Sequence, residues 1–408
     1  MSTLAILGGS PVRTAPFPKW PQPTEEEEEC LREALYSGVW GIGSLLIETF
    51  EKKWADYVGT RYALTCTNGT DALYIAVKAA GLRVGEEVIV PPYTFIATAS
   101  SVMLANGVPV FVDIQPDTYN LDPTAIEAAI TERTRAIIPV HIGGRPADMD
   151  AILEVARRHD LIVIEDCAQA HGAIWRGRKV GSLGDMGCFS FQSSKNLTAG
   201  EGGAITTNEE RFWSLCFSFK NVGRVPEGGW YEHRVLGSNH RMTAFQAAVL
   251  LAGLERLDEQ TDRRHANGQY LDSQLSQIEG LETMAPDPRV ERNAYHLYIF
   301  KYKAEEWGGV SRETFLRALR AEGIPASSGY VPLYRQEAFV VDAQRMPQFQ
   351  GKEIPYAKMS LPVCEQAARE GVWLFQSLLL GTRKDMDDIV EAIAKLRRHL
   401  DELRRVEG

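Results

Sequence analysis

Three polar segments of the chain carry residue types that could together hold and activate one small molecule. Asn68-Gly69-Thr70 follows an apolar run, and a Gly turn that leads into a helix presents free backbone N–H groups to an anion. Asp166 comes just after the run Leu-Ile-Val-Ile, where a carboxylate is desolvated unless it meets a cation. Lys195 lies in a Ser-rich turn before Gly-Glu-Gly-Gly at 200–203, and a partly desolvated lysine is a nucleophilic amine that can form a Schiff base.

Each segment also has a purely structural interpretation. Asn-Gly-Thr is an ordinary turn with a helix cap, Asp166 could cap the turn that follows it, and most lysines are solvated. Taken together, the three segments ask for one ligand with an anionic phosphate, a protonatable ring nitrogen and an aldehyde. Pyridoxal 5′-phosphate (PLP) has all three groups, and PLP enzymes pair a Schiff-base lysine with an acid at the ring nitrogen. Each unit by which that acid raises the pKa of the ring nitrogen stabilises the protonated ring by about 1.4 kcal/mol relative to the neutral ring.

The motifs resemble those of the sugar and cyclitol aminotransferases of the DegT/StrS type, which are fold-type I PLP enzymes. The resemblance runs from about Pro18 to residue 400, and the lysine motif with its Gly-Glu-Gly-Gly is highly specific. The matching motifs are Asn68-Gly69-Thr70, Asp166-x-x-Gln169, Ser190-Phe-Gln-Ser-Ser-Lys195, the glycine run at 200–203 and Ser238–Met242. The resemblance implies a ping-pong aminotransferase in which an amino acid leaves its amine on the cofactor and a ketone takes it up.

The resemblance implies a role for four residues around the cofactor ring. Lys195 would form the Schiff base and later shuttle a proton, and Asp166 would pair with the ring nitrogen. Gln169 would hydrogen-bond near the ring O3′, and Phe95 would stack on the ring. By the same resemblance, Lys195 and Asp166 are the catalytic residues, and no metal is needed.

The resemblance also implies how the phosphate is held. Gly69, Thr70 and Ser190 would bind it within one chain, and Asn239 would reach it from the neighbouring subunit. A homodimer with shared active sites is therefore expected.

Departures from the commoner nucleotide-sugar pattern indicate a subgroup. Gly329–Tyr334 reads Gly-Tyr-Val-Pro-Leu-Tyr where the larger group shows His-Tyr-x-Pro-Leu-His, and Gly371–Gln376, with Trp373, replaces Leu-Ser-Leu-Pro. These forms are more like the subgroup that aminates keto-inositols or makes aminohydroxybenzoate. We therefore expect glutamine or glutamate as the amino donor and a keto-cyclitol or keto-sugar as the acceptor.

A cyclitol presents a ring of hydroxyl groups, which need polar partners in the site. His141, Tyr330 and Tyr334 are the candidate substrate residues. A structural, hydrogen-bonded role is the alternative for His141, and packing in the core is the alternative for Tyr334 and Trp373.

Other functions stay open at this point. Arg224 and Arg234 could form a shelf for a diphosphate, as an aminotransferase of nucleotide-linked keto-sugars would need, and an aminohydroxybenzoate synthase-like enzyme is a further alternative. The dehydratase branch of the family replaces the lysine, which is present here. A regulatory binding protein with an aminotransferase body would need a helix-turn-helix, for which the segment before residue 60 has no room.

Alternating apolar runs and helical stretches between residues 61 and 167 predict the scaffold of the site. The predicted strands are Arg61–Cys66, Glu87–Val90, Val108–Asp113, Arg135–Val140 and Leu161–Cys167. The predicted helices are Thr70–Ala80, Phe95–Ala105, Pro123–Thr131 and Asp148–His159. This order predicts an α/β fold whose mostly parallel sheet is sandwiched by helices, with ligands bound beyond the carboxyl ends of the strands.

The later part of the chain predicts a second, smaller unit. We expect an arm and a large PLP-binding domain at 1–261, and a small C-terminal α+β domain at 262–408. The predicted elements there and just before it are a helix at Thr243–Thr261, a strand at Asn293–Tyr302, a helix at Arg312–Glu322 and a closing helix at Met386–Arg405. The closing helix has one apolar stripe, formed by Ile389, Ile393, Leu396, Leu400 and Leu403.

Composition excludes several classes of protein. A chain of 408 residues exceeds what one core usually organises, and 44% hydrophobic with 24% charged residues is typical of globular proteins. A net charge of −10 argues against partners such as nucleic acid or an anionic membrane. The six cysteines form no Cys-x-x-Cys pair, the start of the sequence lacks a signal-peptide pattern, and no apolar run approaches 18 residues. We therefore expect a cytoplasmic protein.

Overall fold

Fourteen strands and fourteen α-helices lie within residues 3–407, the part of the chain that this computed structural model describes. The strands are β1 Tyr62–Cys66, β2 Glu87–Val90, β3 Val108–Phe111, β4 Thr134–Ile137, β5 Ile162–Asp166, β6 Ile174–Trp175, β7 Arg178–Lys179, β8 Met186–Ser190, β9 Gly203–Thr207, β10 Leu281–Thr283, β11 Val290–Arg292, β12 Leu297–Tyr302, β13 Ser327–Ser328 and β14 Gly371–Phe375. The helices are α1 Glu25–Ser37, α2 Leu45–Val58, α3 Gly69–Ala79, α4 Ala97–Leu104, α5 Pro123–Ala129, α6 Met149–Arg158, α7 Glu210–Lys220, α8 Ala244–Leu254, α9 Leu257–Leu275, α10 Arg312–Ala321, α11 Glu337–Val340, α12 Pro362–Glu370, α13 Arg383–Arg398 and α14 Leu400–Glu407.

A seven-stranded sheet forms the centre of the first lobe, with the spatial order β1-β9-β8-β5-β4-β2-β3. The strands from β8 to β3 are parallel neighbours, whereas β9 runs antiparallel to both β1 and β8. One face packs on α3, α4 and α7 and the other on α5 and α6, so the Val/Ile-rich strands are buried on both faces. The predicted sheet, mostly parallel and sandwiched by helices, is confirmed.

A four-stranded antiparallel sheet of order β10-β12-β14-β13 forms the second lobe. The predicted strand at 293–302 is β12, which begins later and is buried along its whole length because helices cover one face and the first lobe the other. The apolar stripe of α13 packs on this sheet, with Ile389, Ile393 and Leu396 fully buried. The closing helix is not continuous as predicted, because His399 leaves helical geometry (φ −110°, ψ 38°) before α14 restarts at Leu400.

The single helix predicted at Thr243–Thr261 is two helices, α8 and α9. The break lies at Arg256, whose guanidinium turns away to bind the Glu27 carboxylate and, at 2.8 Å, the Thr24 hydroxyl. The helix that follows continues to Leu275, so the domain boundary expected between residues 261 and 262 falls inside α9. Leu257 packs in the core of the first lobe and Leu271 in the core of the second.

Each lobe also contains residues from a distant part of the chain. In the second lobe, Leu4 of the N-terminal arm is buried and Arg13 bonds the Asp388 carboxylate at 2.8 Å. In the first lobe, the segment that follows Leu333, including Phe339 and Tyr356, packs against α3, α4 and the sheet. The two lobes are therefore joined by more than the helix α9.

Two features bear on the sequence-based expectations about membrane helices and cysteines. Within the described residues, no helix combines the length and the apolar character needed to cross a bilayer. All six cysteines are free thiols, and five of them are buried.

Candidate active site

The three polar segments lie at one edge of the seven-stranded sheet. β1, β5 and β8 run in the same direction, so their carboxyl ends meet where α3 begins, where Asp166 ends β5 and where Ser190 ends β8. A Cβ atom on Gly69 would lie only 2.6 Å from the Cβ of Ser190, which shows how closely β8 approaches α3. The structure thus brings Gly69 and Ser190, which are 121 residues apart in the sequence, next to each other.

Asp166 is a buried carboxylate held by two hydrogen bonds from neutral donors. The Thr98 hydroxyl donates to Oδ2 at 2.8 Å, and the backbone N–H of Ala168 donates to Oδ1 at 3.1 Å. Burial raises the pKa of Asp166, while these hydrogen bonds and the positive charge of Lys195 act in the opposite direction. A carboxylate in such a place can share or hold a proton with a basic ring nitrogen placed against it.

Lys195 faces this carboxylate across the site. Burial lowers the pKa of its amine to about 8, and attraction to Asp166 opposes that shift. Within residues 3–407 the amine has no hydrogen-bond partner, and Asp166 is the charged group that attracts it. A large fraction of the amine is therefore neutral near pH 8 and able to act as a nucleophile or a base.

The start of α3 and the end of β8 form a cradle for an anion. Gly69 and Thr70 open the helix, so their N–H groups cannot bond within it, and Asn68 caps it by accepting the Asp71 N–H at 2.8 Å. The Ser190 side chain lies against Gly69, where any larger residue would fill the cradle. Free N–H groups, a hydroxyl and the positive end of a helix suit a phosphate.

Gln169 and Tyr330 connect the sheet edge to the second lobe. The Gln169 amide accepts the Gly143 N–H at 2.8 Å and donates to the Tyr330 hydroxyl at 3.1 Å. Tyr330 packs edge-on against Trp373, with ring centroids 4.6 Å apart, and against Tyr93 at 5.7 Å. Burial raises the pKa of Tyr330, and the nearby Asp166 charge adds to the shift, so this hydroxyl keeps its proton and can donate it.

Two of the sequence-predicted cofactor residues lie at the surface. The Phe95 ring is 55% exposed just before α4, and Asn239 is exposed in the loop between α7 and α8. Neither side chain touches Asp166 or Lys195, so the stacking role of Phe95 and the inter-subunit role of Asn239 stay predictions.

Two of the three candidate substrate residues are engaged elsewhere, and these assignments are corrected. His141 is completely buried; Ala147 donates its N–H to Nδ1 at 3.0 Å, so Nε2 carries the proton and donates to Glu165 at 3.0 Å. Tyr334 is equally buried, and its hydroxyl donates to Glu365 at 2.9 Å and accepts the Leu361 N–H. Neither side chain has a polar group left for a substrate.

The group His141, Glu165 and Cys167 has ligand types found at metal sites, with ligand atoms that lie within 4.8 Å of one another. Glu165 also accepts three backbone N–H groups, from Gly181, Leu183 and Gly184, at 2.8–2.9 Å. Burial alone would raise the pKa of Glu165, but the hydrogen bonds from His141 and the backbone keep it below its ordinary value. These hydrogen bonds explain the cluster as a structural network beneath Asp166.

Two residues of the site were missed in the sequence. Thr98 bonds Asp166 directly and in turn accepts from Thr94 at 3.1 Å, and no pattern in the sequence marks this contact. His171 donates through Nε2 to the Ser190 carbonyl at 2.9 Å, and burial lowers its pKa to about 3, with Lys195 contributing. Since His171 is neutral, it can hold the end of β8 without adding charge to the site.

The polar groups at this edge of the seven-stranded sheet fit the groups of PLP. The cradle at Gly69 and Ser190 would take the phosphate, Asp166 would face a ring nitrogen, and the unpaired Lys195 amine is available for an aldehyde. Phe95 is 55% exposed, so its side chain is available to stack on a flat ring.

Comparison with known families gives one consistent result. Residues 21–393 match the sequence profile of the DegT/DnrJ/EryC1/StrS aminotransferase family. A relative from Streptoalloteichus tenebrarius, named provisionally as an L-glutamine:3-amino-2,3-dideoxy-scyllo-inosose aminotransferase, is 44% identical, over 99% of this chain and 100% of that protein. From the same organism, an L-glutamine:2-deoxy-scyllo-inosose aminotransferase is 41% identical, over 98% of this chain and 99% of that protein.

Solved structures extend the comparison to the fold. A crystal structure of 3-amino-5-hydroxybenzoic acid synthase has a TM-score of 0.84 and 34% identity, covering 94% of this chain and 99% of that one. A Bacillus subtilis protein solved with bound cofactor PMP has a TM-score of 0.79 and 29% identity, covering 92% of this chain and 82% of that one.

Proposed function

This chain belongs to the DegT/DnrJ/EryC1/StrS aminotransferase family, and from that premise we propose that it uses PLP to move an amino group from L-glutamine to a free keto-cyclitol of the 2-deoxy-scyllo-inosose type. One observation carries the proposal. The Lys195 amine, with its pKa lowered to about 8, faces the buried Asp166 carboxylate beside an anion cradle. This is the set of groups that PLP chemistry needs, placed where sheets of this type bind ligands.

PLP, when bound, would supply an aldehyde for the amino group and a ring that accepts electrons from the substrate carbon. The chain's residues would do the rest. Asp166 would keep a proton on the ring nitrogen, and Thr98 would hold the carboxylate in orientation. Lys195, neutral for part of the time near pH 8, would take and return the proton of the substrate carbon.

Tyr330 supports an acceptor that is rich in hydroxyl groups. Its oxygen already accepts from Gln169, so its own proton is free for a hydroxyl or ketone oxygen of the acceptor. A site that donates to a substrate hydroxyl discriminates strongly against analogues that lack it. The names of the two Streptoalloteichus relatives agree on L-glutamine as donor and on a deoxy-scyllo-inosose as acceptor class, which supports the same choice.

A panel of acceptors tests this proposal. With L-glutamine as donor, kcat/KM would be measured for scyllo-inosose, 2-deoxy-scyllo-inosose and its 3-amino-2,3-dideoxy analogue, and for nucleotide-linked keto-hexoses. We expect a keto-cyclitol to be preferred by at least about a hundredfold. A hundredfold preference for the nucleotide sugars would refute the cyclitol assignment and leave the aminotransferase assignment intact.

The nucleotide-sugar alternative depended on Arg224 and Arg234 as a shelf for the diphosphate. Arg224 donates to the Trp230 carbonyl at 3.0 Å and stacks on that ring at 4.3 Å, and Arg234 pairs with Glu232 at 2.7 Å. Both guanidinium groups are therefore occupied within their own loop, which favours an acceptor without a diphosphate.

The likeness to 3-amino-5-hydroxybenzoic acid synthase supports a second candidate, an enzyme that aromatises an amino-cyclohexenone. The two candidates differ in product. Formation of an aromatic product would appear in the ultraviolet spectrum, whereas a transaminated cyclitol is transparent there. A regulatory binding protein without catalysis would not lose its cofactor absorbance on addition of L-glutamine.

We also propose a homodimer whose sites are shared, in the cytoplasm. Asn239 and the side chains of Trp230, Tyr231 and Leu236 are exposed in the same loop, as a partner-binding segment would be. Buried free thiols such as Cys66 suit a reducing compartment.

Subunit mixing tests the shared site. Asn239→Asp would put a carboxylate against a phosphate, and mixing it with Lys195→Ala places both changes in one site of the heterodimer and leaves the other intact. Activity should then partly return. Verified subunit exchange without recovery would show that each site is built within one chain.

A further inference from the structure

Two backbone carbonyls of the turn that contains Lys195 accept hydrogen bonds from side chains of distant segments of the chain. The turn satisfies its own N–H groups, since Lys195 N–H donates to the Gln192 carbonyl at 2.9 Å. The Lys195 carbonyl, in contrast, accepts from the indole Nε1–H of Trp20 at 3.1 Å. Trp20 belongs to the N-terminal arm, 175 residues earlier in the chain.

The arm is fixed on both sides of Trp20. Before it, Arg13 is bound to the Asp388 carboxylate of the second lobe at 2.8 Å. After it, Arg256 donates to the Gln22 carbonyl at 3.3 Å and to the Thr24 hydroxyl at 2.8 Å. The indole is therefore presented by an anchored segment and not by a loose terminus.

Arg264 of α9 orients two donors toward this turn. Its guanidinium lies 5.2 Å from the Trp20 ring centroid, and its Nε and Nη2 donate to Gln376 Oε1 at 2.9 and 2.6 Å. With its oxygen held, the Gln376 amide turns its Nε2 toward the Ser194 carbonyl at 3.5 Å. The cation is thus placed between the two side chains that reach the lysine turn.

The burial of Arg264 makes this arrangement unusual. The side chain is 0% exposed, no carboxylate of the described residues pairs with it, and its Nη1 has no hydrogen-bond partner there. A buried cation without an anion is costly, and a neutral amide and an aromatic face compensate only part of that cost. A cation buried under those conditions is expected to serve the site it contacts.

We propose that Trp20 is a positioning residue for Lys195, acting with Arg264 and Gln376 as a clamp on the Ser194 and Lys195 carbonyls. The clamp sets where the Lys195 side chain starts and therefore where its amine meets an aldehyde. The donors of the clamp contact backbone carbonyls of the turn and not the Lys195 amine, so the clamp acts through geometry. The proposal rests on the proposed function, because it assumes that PLP is the group that Lys195 attaches.

Trp20→Phe tests the clamp, since it keeps an aromatic ring over Arg264 and removes the N–H. Trp175→Phe is the matched control. The Trp175 indole also donates at 3.1 Å, to Asp150, and also lies under a guanidinium, that of Arg289 at 4.6 Å, but far from Lys195 in the fold. Two quantities would be measured on each cofactor-free protein. One is the rate at which added PLP becomes attached to Lys195, followed by absorbance. The other is the Kd for pyridoxamine 5′-phosphate (PMP), which has no aldehyde and needs no lysine attachment.

We expect Trp20→Phe to slow attachment about tenfold, because a displacement of an ångström at a reacting atom costs up to about a hundredfold. The Kd for PMP should stay within about twofold of wild type, and Trp175→Phe should change neither quantity beyond that range. Arg264→Lys, which keeps the charge but loses the two-nitrogen grip on Gln376, should show the same pattern as Trp20→Phe.

An equal loss of attachment rate and PMP affinity in Trp20→Phe would reveal a general structural role and overturn the clamp. An attachment rate within twofold of wild type would overturn it as well. Failure of the wild-type protein to attach PLP at all would instead refute the proposed function, so the two failures are distinguishable.

Discussion

The two sides of the candidate site are held by different kinds of contact. We call one side the floor. It lies at the carboxyl ends of β1, β5 and β8 and is held by hydrogen bonds at strand and helix ends. It consists of Gly69, Asp166, Ser190 and Lys195. We call the other side the roof. It comes largely from the second lobe and is held by edge-on packing of aromatic rings. It consists of Tyr93, Tyr330 and Trp373.

This difference indicates a division of work. Floor residues sit on a sheet whose strands cannot slide without breaking the ladder, so their groups keep the positions that bond-making needs. Roof residues pack through ring faces and edges, and the free hydroxyl proton of Tyr330 is the group that would meet an acceptor. We therefore expect changes in the floor to abolish the reaction and changes in the roof to alter the choice of acceptor.

The largest effect is expected for Lys195→Ala in the floor. Glutamine-dependent amination of 2-deoxy-scyllo-inosose should fall by at least about 10⁴-fold, because a nucleophile that acts as part of a unit is not replaced by its neighbours. Lys179→Ala is the control, since burial also lowers the pKa of Lys179 but its ammonium lies over the Tyr57 ring, away from the site. If the activity of Lys195→Ala stayed within tenfold of wild type, the catalytic role assigned to Lys195 would be wrong.

Asp166→Asn should lower kcat by about a thousandfold, because a neutral amide cannot keep a proton on a ring nitrogen. The matched control is Asp185→Asn, in which burial also raises the pKa of the carboxyl. Asp185 accepts the Val163 N–H at 2.8 Å at the opposite end of the same strands. That control should lower Tm while leaving kcat near normal. If the two variants lost kcat equally, Asp166 would be no more than a cap for its turn.

Tyr330→Phe in the roof should have a smaller and more selective effect. The loss of a hydrogen-bond donor to the acceptor should lower kcat/KM for the keto-cyclitol about tenfold, while the reaction with L-glutamine alone changes less than threefold. Tyr334→Phe removes a hydroxyl buried in the first lobe and should cost about 1 kcal/mol of stability with no change in kcat/KM. If Tyr330→Phe lowered the rates of both half-reactions equally, Tyr330 would not act on the acceptor alone, and the distinction between floor and roof would be wrong.

The smallest effect concerns pH. Because burial lowers the pKa of Lys195 to about 8, the neutral fraction of its amine rises as the pH rises through that value. The rate of PLP attachment should increase about threefold between pH 7.5 and 8.5 and level off above that, whereas an ordinary lysine would give about a tenfold increase. A tenfold rise would show that the floor leaves the lysine amine unperturbed.

The sequence pattern locates the floor, whereas in the roof it offers only Tyr330 as a substrate residue, and the difference has a physical reason. Each floor residue lies at the end of an apolar strand or within a few residues after it. In a parallel sheet the strand ends necessarily converge, so Asp166 and Lys195 needed no knowledge of distant contacts. His141 fits that same pattern and was wrong as a substrate residue, because sequence does not show that Glu165 and Ala147 occupy both ring nitrogens. The clamp at Trp20 joins residues from three distant segments, for which no local pattern exists.

The same reasoning applies to the fold. Strand β2 was predicted at its observed bounds, because a short buried run between turn residues is locally defined. The break at Arg256 was missed because a guanidinium drawn toward Glu27 of α1 is a tertiary contact, and the Ala/Leu-rich sequence before Arg256 favours a continuous helix.

Reductive trapping of the wild-type protein tests the central claim most directly. The protein would be incubated with PLP, reduced with borohydride, digested and mapped by mass spectrometry, with and without prior addition of L-glutamine. We expect a single pyridoxyl adduct on Lys195, lost when L-glutamine is added first. An adduct on any other lysine, or an adduct at Lys195 that L-glutamine does not diminish, would contradict the account.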